Sequence, residues 1–181
     1  MNPQAAGAGS GTHEAGIGLG SNLGNSIEIL WSVWGQLQNH PAIEPVALSA
    51  PYRSSPVGMV SAHWFVNAAA LVRTTLSPHA LLQELQAIET CCGRVRPVQG
   101  TGYQDRTLDL DLLFYEGLIL HSDQLIIPHP RMRERLFVLE PLTEIAGDWI
   151  CPLSGKQIGE LLGNLKKYDT NQVVERMLWP R

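Results

Sequence analysis

Apolar positions along the chain follow two rhythms, one near 3.6 residues and one near two, and the switches between them predict the elements. Ala15–Gly20 (AGIGLG) reads as a short strand weakened by its glycines. Ile27, Leu30, Trp31, Trp34 and Leu37 fall at helical spacing, with Asn25 or Ser26 as cap and His40-Pro41 as stop. Ile43–Ser49 alternates as a strand, and Ser54–His63, with Pro56 and Gly58, reads as a loop. Trp64–Thr74 is a strand with Phe65, Asn67, Ala69 and Leu71 on one face. Ser77 caps a second helix, with Pro78 in its first position, that runs through Leu81, Leu82, Leu85, Ile88 and Glu89 to Gly93. A polar loop, Arg94–Asp105, leads to the strongest strand, Leu108–Tyr115 (LDLDLLFY), and Gly117 turns into an extended piece at Leu118–Leu120. Pro128-His129-Pro130 precedes an Arg-rich turn, Phe137–Leu139 is apolar, and a last helix is predicted near Gln157–Leu162. The order βαββαβ, with additions, predicts an α/β (α+β) sandwich with helices packed on a mostly antiparallel sheet.

With 181 residues, 44% of them hydrophobic and 17% charged, the chain has the makings of one folded domain. The Gly-, Ala- and Ser-rich residues 1–12 read as a flexible leader and 13–181 as the domain. That leader lacks the basic start and apolar stretch of a secretory signal. No apolar run approaches the ~18 residues of a membrane span. A net charge of −4 argues against general nucleic-acid binding. Three cysteines, an odd number, do not make a disulfide scaffold and point to a reducing cytoplasm. Cys91-Cys92 lacks the spacing of a redox or zinc pair and reads as helix packing.

The candidate chemistry centres on Asp109-Leu110-Asp111. Residues i and i+2 of a strand face the same way, so two carboxylates share one face of an apolar strand. Like charges brought together need something positive between them, and hard oxygen ligands without His or Cys suit Mg²⁺ with phosphate oxygens. A solvated strand face is the plainer alternative. The chain holds ten Arg and three Lys, and six of the Arg (94, 96, 106, 131, 133, 135) fall within residues 94–135, beside both Asp. Arg forks suit phosphate, so carboxylates ringed by Arg form a site for a polyphosphate. Surface ion pairing accounts for some of these, Arg131 and Arg133 first. GLGSNLG fails the dinucleotide template because Leu23 holds the third glycine's place, and no P-loop is present. His129 sits in the Arg-rich segment, where phosphate contact and a structural role both remain open. Phe65 and Phe137 are either core or a stacking pair for a flat heterocycle, with Asn67 reading its edge.

The segments GLGSNLG, PYRSSPVG, FVNAA, IETCCGRVR, RTLDLDLLFY and PHPRMRERLFVLEPL, in that order, resemble the 6-hydroxymethyl-7,8-dihydropterin pyrophosphokinase family over roughly Ala15 to Leu162. The resemblance implies a ferredoxin-like α-β-α sandwich and transfer of pyrophosphate from MgATP to the pterin hydroxymethyl group in folate biosynthesis, releasing AMP. It implies that Asp109 and Asp111 bind two Mg²⁺, and that Arg94 and Arg106 on a catalytic loop stabilise phosphate charge. It places His129 and Arg135 on the triphosphate, Arg96 near the nucleotide, and Gln86 and Glu89 along the ATP side. Phe65, Asn67 and Phe137, with backbone at Ser54 and Val57, would form the pterin pocket. Loops at Pro56–His63 and Val95–Asp105 would close over the site, and the partners would be ATP and the pterin alone, on a monomer. Three departures bear on closure and rate: Gln104-Asp105 replaces a common Gly-Pro, Tyr103 stands where Trp is usual, and Ser54-Ser55-Pro56 stands where Thr-Pro-Pro is common. Asp105 motivates an alternative, a paralogue that binds ATP or pterin without efficient transfer. A third reading keeps the chemistry and changes the acceptor.

Overall fold

The computed structural model describes residues 11–94, 104–168 and 171–180. Residues 1–10 of the expected leader, and Arg96 and Tyr103, lie outside the described residues. The chain runs β1 (His13–Ser21), α1 (Ser26–Gln38), β2 (Ile43–Leu48), β3 (Tyr52–Ser54), β4 (Phe65–Thr74), α2 (Pro78–Cys91) and β5 (Asp109–Tyr115). A small hairpin, β6 (Leu120–His121) and β7 (Ile126–Ile127), precedes a 3₁₀ turn at Met132–Glu134. Then follow α3 (Leu136–Ala146), the hairpin β8 (Ile150–Cys151) and β9 (Lys156–Gln157), α4 (Ile158–Tyr168) and β10 (Val174–Arg176).

The main sheet has the order β10-β3-β4-β1-β5, with β2 also pairing along β4, and every pairing is antiparallel. β4 is the hub because its alternation serves both faces. Ala68, Ala70 and Val72 join Ile17, Leu19, Leu110 and Leu112 in a core covered by Leu30, Val33 and Leu37 of α1 and Leu81 and Leu85 of α2. Ala69 and Leu71 face the other way, into a second core with Leu136, Leu139 and Leu142 of α3 and Ile158 and Leu161 of α4. The pattern's expectation of helices packed on a mostly antiparallel sheet is met, in the α-β-α layering that the resemblance implies. Ser77 caps α2 as expected, its side chain accepting from Ala80 N at 3.3 Å with Pro78 leading the helix. Among the described residues no helix is long and apolar enough to cross a membrane.

Three elements depart from the sequence pattern. β3 begins two residues before the expected loop at Ser54, and β10 had no sequence signal at all. The apolar run at Phe137–Leu139 is the start of a full helix, α3, with Pro141 inside it. Pro141, Leu139 and Leu142 are all buried, so packing carries the helix through the lost backbone bond.

Gly16, read as a weak point in β1, proves to be a packing requirement. A Cβ there would lie 2.3 Å from Phe114 Cε1, and the Phe114 ring is itself held against Trp149 with centroids 4.2 Å apart. Gly16→Ala is therefore expected to destabilise the fold by about 1–3 kcal/mol through overpacking. A urea titration checks this, and an unchanged midpoint would show that the ring moves aside freely.

Candidate active site

β5 carries Asp109 and Asp111 on one face while Leu110 points into the first core. The expectation that the two carboxylates share a face is met. They open onto a cleft enclosing about 640 Å³. Gly18 and Gly20 of β1 line that cleft, together with Ser54, Val57, Phe65, Asn67, Arg106, Arg135 and Phe137. The glycines give the alternation of β1 its purpose: Ile17 and Leu19 fill the core, and the opposite face is left bare. All five residues expected for the pterin pocket thus line one cleft. Asn67 is buried and donates from Nδ2 to Ser54 Oγ at 2.9 Å, which fixes the orientation of its amide.

The charges in the cleft are arranged in layers. Arg94 Nη1 donates to both Asp109 Oδ1 and Glu89 Oε1, and to Leu108 O at 3.2 Å. Burial works against the charge on Arg94, but Asp109 and Glu89 outweigh it and hold the guanidinium above its ordinary pKa. Arg106 Nη2 pairs with Asp109 Oδ2 at 2.7 Å and lies 5.5 Å from the Phe65 ring centre. Asp109 is therefore held between two guanidinium groups. Among the described residues, the ion pair of Asp111 is a longer one, 3.9 Å to Arg135 Nη1, and Arg135 in turn lies 5.4 Å from the Phe137 ring centre. Burial first, then the neighbouring Asp109, pushes the Asp111 pKa up to about 6.

A second cavity, enclosing about 650 Å³, lies beside the cleft and is lined by Gln86, Asp111, His129 and the segment 122–126. Burial and the nearby Arg135 bring the His129 pKa down to about 4, which leaves the ring neutral at pH 7. Its Nδ1 accepts from Arg131 N at 3.2 Å, so Nε2 carries the proton of the neutral ring.

One expectation needs correction. Glu89 does not line a nucleotide surface: it is 1% exposed and faces inward, accepting from Leu110 N at 2.7 Å. Asp105, the departure that motivated the alternative reading, is tied into the protein. Its Oδ1 accepts from Asn22 Nδ2 at 2.6 Å, while Asn22 Oδ1 takes Arg106 N at 2.8 Å. Hydrogen bonds from Ser61 and then Asn22 hold the Asp105 pKa below its ordinary value. The residue that motivated a non-catalytic reading thus ties β1's end to the Arg106 segment. Arg94, which the resemblance places on the catalytic loop, follows α2 and donates to Glu89 and Asp109. Cys92 packs partly against the first core while Cys91 is exposed, so the helix-packing reading holds for one of the pair.

A sequence model of the 7,8-dihydro-6-hydroxymethylpterin-pyrophosphokinase family matches residues 16–147, which include both Asp and the Arg-rich segment. The chain belongs to this family. It is 41% identical, over 149 residues, to the 2-amino-4-hydroxy-6-hydroxymethyldihydropteridine pyrophosphokinase of Methylorubrum extorquens, covering 82% of this chain and 91% of that protein. A Synechocystis protein of the same name is 43% identical over 150 residues, covering 83% of this chain and 75% of its own length. A crystal structure of Plasmodium falciparum HPPK-DHPS superposes with a TM-score of 0.70 over 89% of this chain at 14% identity. The chain spans 45% of that larger protein, and at this identity the likeness speaks to the fold alone. The ferredoxin-like pyrophosphokinase fold expected from the motifs is the fold found.

Proposed function

We propose that the cleft lined by Phe65, Asn67 and Phe137 takes the pterin and that the cavity along Gln86 and His129 takes ATP. As a member of the pyrophosphokinase family, the chain transfers pyrophosphate from ATP to the hydroxymethyl group of 6-hydroxymethyl-7,8-dihydropterin, releasing AMP. The observation that carries the site assignment is that Asp111 lines both cavities, so the two substrates would meet at the Asp109/Asp111 face.

The donor set suits Mg²⁺. Two hard carboxylates stand on one strand face, and among the described residues no group of three or more His, Cys, Asp or Glu is placed to hold a metal alone. That leaves the remaining positions to water and phosphate oxygens, so Asp109 and Asp111 would hold two ions that arrive with ATP. When bound, Mg²⁺ supplies charge neutralisation on the phosphates.

The rest of the work falls to the chain's own residues. Phe65 and Phe137 stack on the heterocycle, Asn67 reads its edge, and backbone at Ser54 and Val57 bounds it. This holds the hydroxymethyl oxygen at the carboxylate face, where it attacks the β-phosphorus, its proton passing to water. The bond from that phosphorus to the bridging oxygen breaks, and the oxygen leaves on AMP. Arg106 and Arg135 neutralise the charge that develops, with Arg94 keeping Asp109 in place. His129 donates from Nε2 to a phosphate oxygen, and Arg96 would sit near the nucleotide. Asp109 is read as a metal ligand first and as an aid to deprotonation second; Arg94 and Arg106, which engage its two oxygens, would yield one of them to the ion. Residues 13–181 act as one domain and as a monomer, in the cytoplasm, and the three free cysteines support that last reading alone.

The deciding assay is AMP release from MgATP with and without the pterin. AMP formation that depends on both pterin and Mg²⁺ is expected, with complete loss on chelation and recovery when the ion is restored. AMP formed equally without pterin, or none at all, would overturn the assignment.

A further inference from the structure

The segment after α4 lies beyond the part of the chain matched by the family model, which ends at residue 147. It nevertheless reaches both walls of the cleft. Arg135 sits in extended backbone, φ −123° and ψ 111°, between the 3₁₀ turn and α3, and makes no side-chain cap for that helix. The first N–H groups of a helix have no partner within it. Here the first of them, Leu136 N, donates to Gln172 Oε1 at 2.9 Å. The other end of the same amide, Gln172 Nε2, donates to Glu134 O at 3.0 Å. One side chain, 36 residues away in sequence, therefore bridges the residues on either side of Arg135.

Gln172 is itself held. Val173 O accepts from Ser55 N at 3.1 Å, and Val174 pairs with Ser54 in the β10–β3 register. Downstream, Met177 N donates to Pro51 O at 2.8 Å, Trp179 Nε1 to Ser49 O at 2.8 Å, and Arg176 pairs with Glu144 at 2.6 Å. The tail is thus anchored along β3 and presents Gln172 to the opposite wall.

We propose that Gln172 is a positioning residue for the transfer reaction, its amide fixing the backbone on both sides of Arg135 and so aiming the guanidinium into the cleft. The proposal rests on the reading of Arg135 as a phosphate contact. Substrate need not touch Gln172. The tie spans the one stretch where a small backbone rotation swings Arg135 away from Asp111 and Phe137, and misplacement by about 1 Å is enough to cost a reaction substantial rate.

A double-mutant cycle tests this, reading kcat and KM for MgATP separately. Gln172→Met, which keeps the volume and removes both hydrogen bonds, is expected to lower kcat/KM for MgATP by about five- to thirtyfold. In an Arg135→Ala background the same change is expected to alter it less than about twofold. Gln172→Asn, too short to span both partners, should show the same non-additivity, with thermal midpoints confirming folded protein in each case. Equal losses in the two backgrounds, or no loss in either, would overturn the positioning role. If Arg135→Ala alone leaves kcat/KM unchanged while the native chain is active, the phosphate role of Arg135 fails and the proposal with it. Absence of pterin-dependent AMP in the native chain would instead count against the function itself.

Discussion

Asp111→Asn is expected to abolish pyrophosphoryl transfer while making the metal-free protein more stable at neutral pH. The two effects have one cause. Asp111 stands at the cleft with a neighbouring carboxylate and a distant cation, and its pKa is pushed up to about 6. The folded state therefore holds the proton more tightly than the unfolded chain, where an Asp titrates near its model value of 3.8. The resulting stability is fully present below that value and is lost as pH rises through about 6. Above that pH the ionised group is a net cost, which the neutral amide removes. About a third of the side chain, 35%, remains open to water, so the full shift is discounted for screening and the gain is set at about 1 kcal/mol. His129 acts in the opposite sense. Its pKa is depressed to about 4, so protonation opposes folding as pH falls below the usual 6.5. In the native chain the two slopes oppose each other between roughly pH 4 and 6. In Asp111→Asn only the His129 slope remains. Urea titrations in chelator at pH 5 and pH 8 check both parts, alongside AMP release, which should fall at least about a hundredfold. A variant less stable than the native chain at pH 8 would show that Asp111 is a favourable internal ion pair and not a waiting ligand.

How far the sequence disclosed this arrangement depended on the range of the signal. The carboxylate pair was legible because a strand has a period of two and only two residues separate Asp109 from Asp111. The aromatic and amide lining was legible for the same reason, with Phe65 and Asn67 on one face of β4. Glu89 carried a local signal that was misread: it continues the series Leu81, Leu85 at intervals of four, which is the buried stripe of α2. A charged residue on such a stripe belongs to an internal hydrogen-bond site. The glycines of β1 read as weakness because their reason, the Phe114 ring and the open cleft, is contributed by other strands. Pro141 hid α3, since a proline lowers the local expectation of helix and only burial on all sides restores it. Gln172 and β10 could not be seen at all. Val174–Arg176 is three residues long, and its partner, β3, is equally short. Pairing between two such pieces at great separation leaves no periodicity in either.

Glu89 supplies the largest stability effect expected of any single residue here. Among the described residues β5 is an edge strand of the sheet, paired with β1 in the order β10-β3-β4-β1-β5. An outward N–H on such an edge has no strand to receive it, and at Leu110 it is also buried. Glu89 closes that gap from α2, accepting from Leu110 N at 2.7 Å while the same oxygen engages Arg94. Glu89→Ala leaves the N–H without a partner and removes one of the two carboxylates around a largely buried guanidinium. A loss of about 3–5 kcal/mol is expected, in line with breaking a buried charge pair from one side. Glu89→Gln keeps an oxygen for Leu110 N and loses only the charge, so about 1–3 kcal/mol is expected, in the range for a charge-assisted hydrogen bond. Activity should follow in the same order. Once Glu89 is gone, Arg94 has Asp109 as its remaining acidic partner and draws it away from the face where phosphate must arrive. Urea midpoints for the two variants, with AMP release measured well below each midpoint, separate the contributions. If Glu89→Ala unfolds within about 1 kcal/mol of the native chain and turns over normally, the edge of β5 is satisfied by another group and Asp109 is held by Arg106 alone.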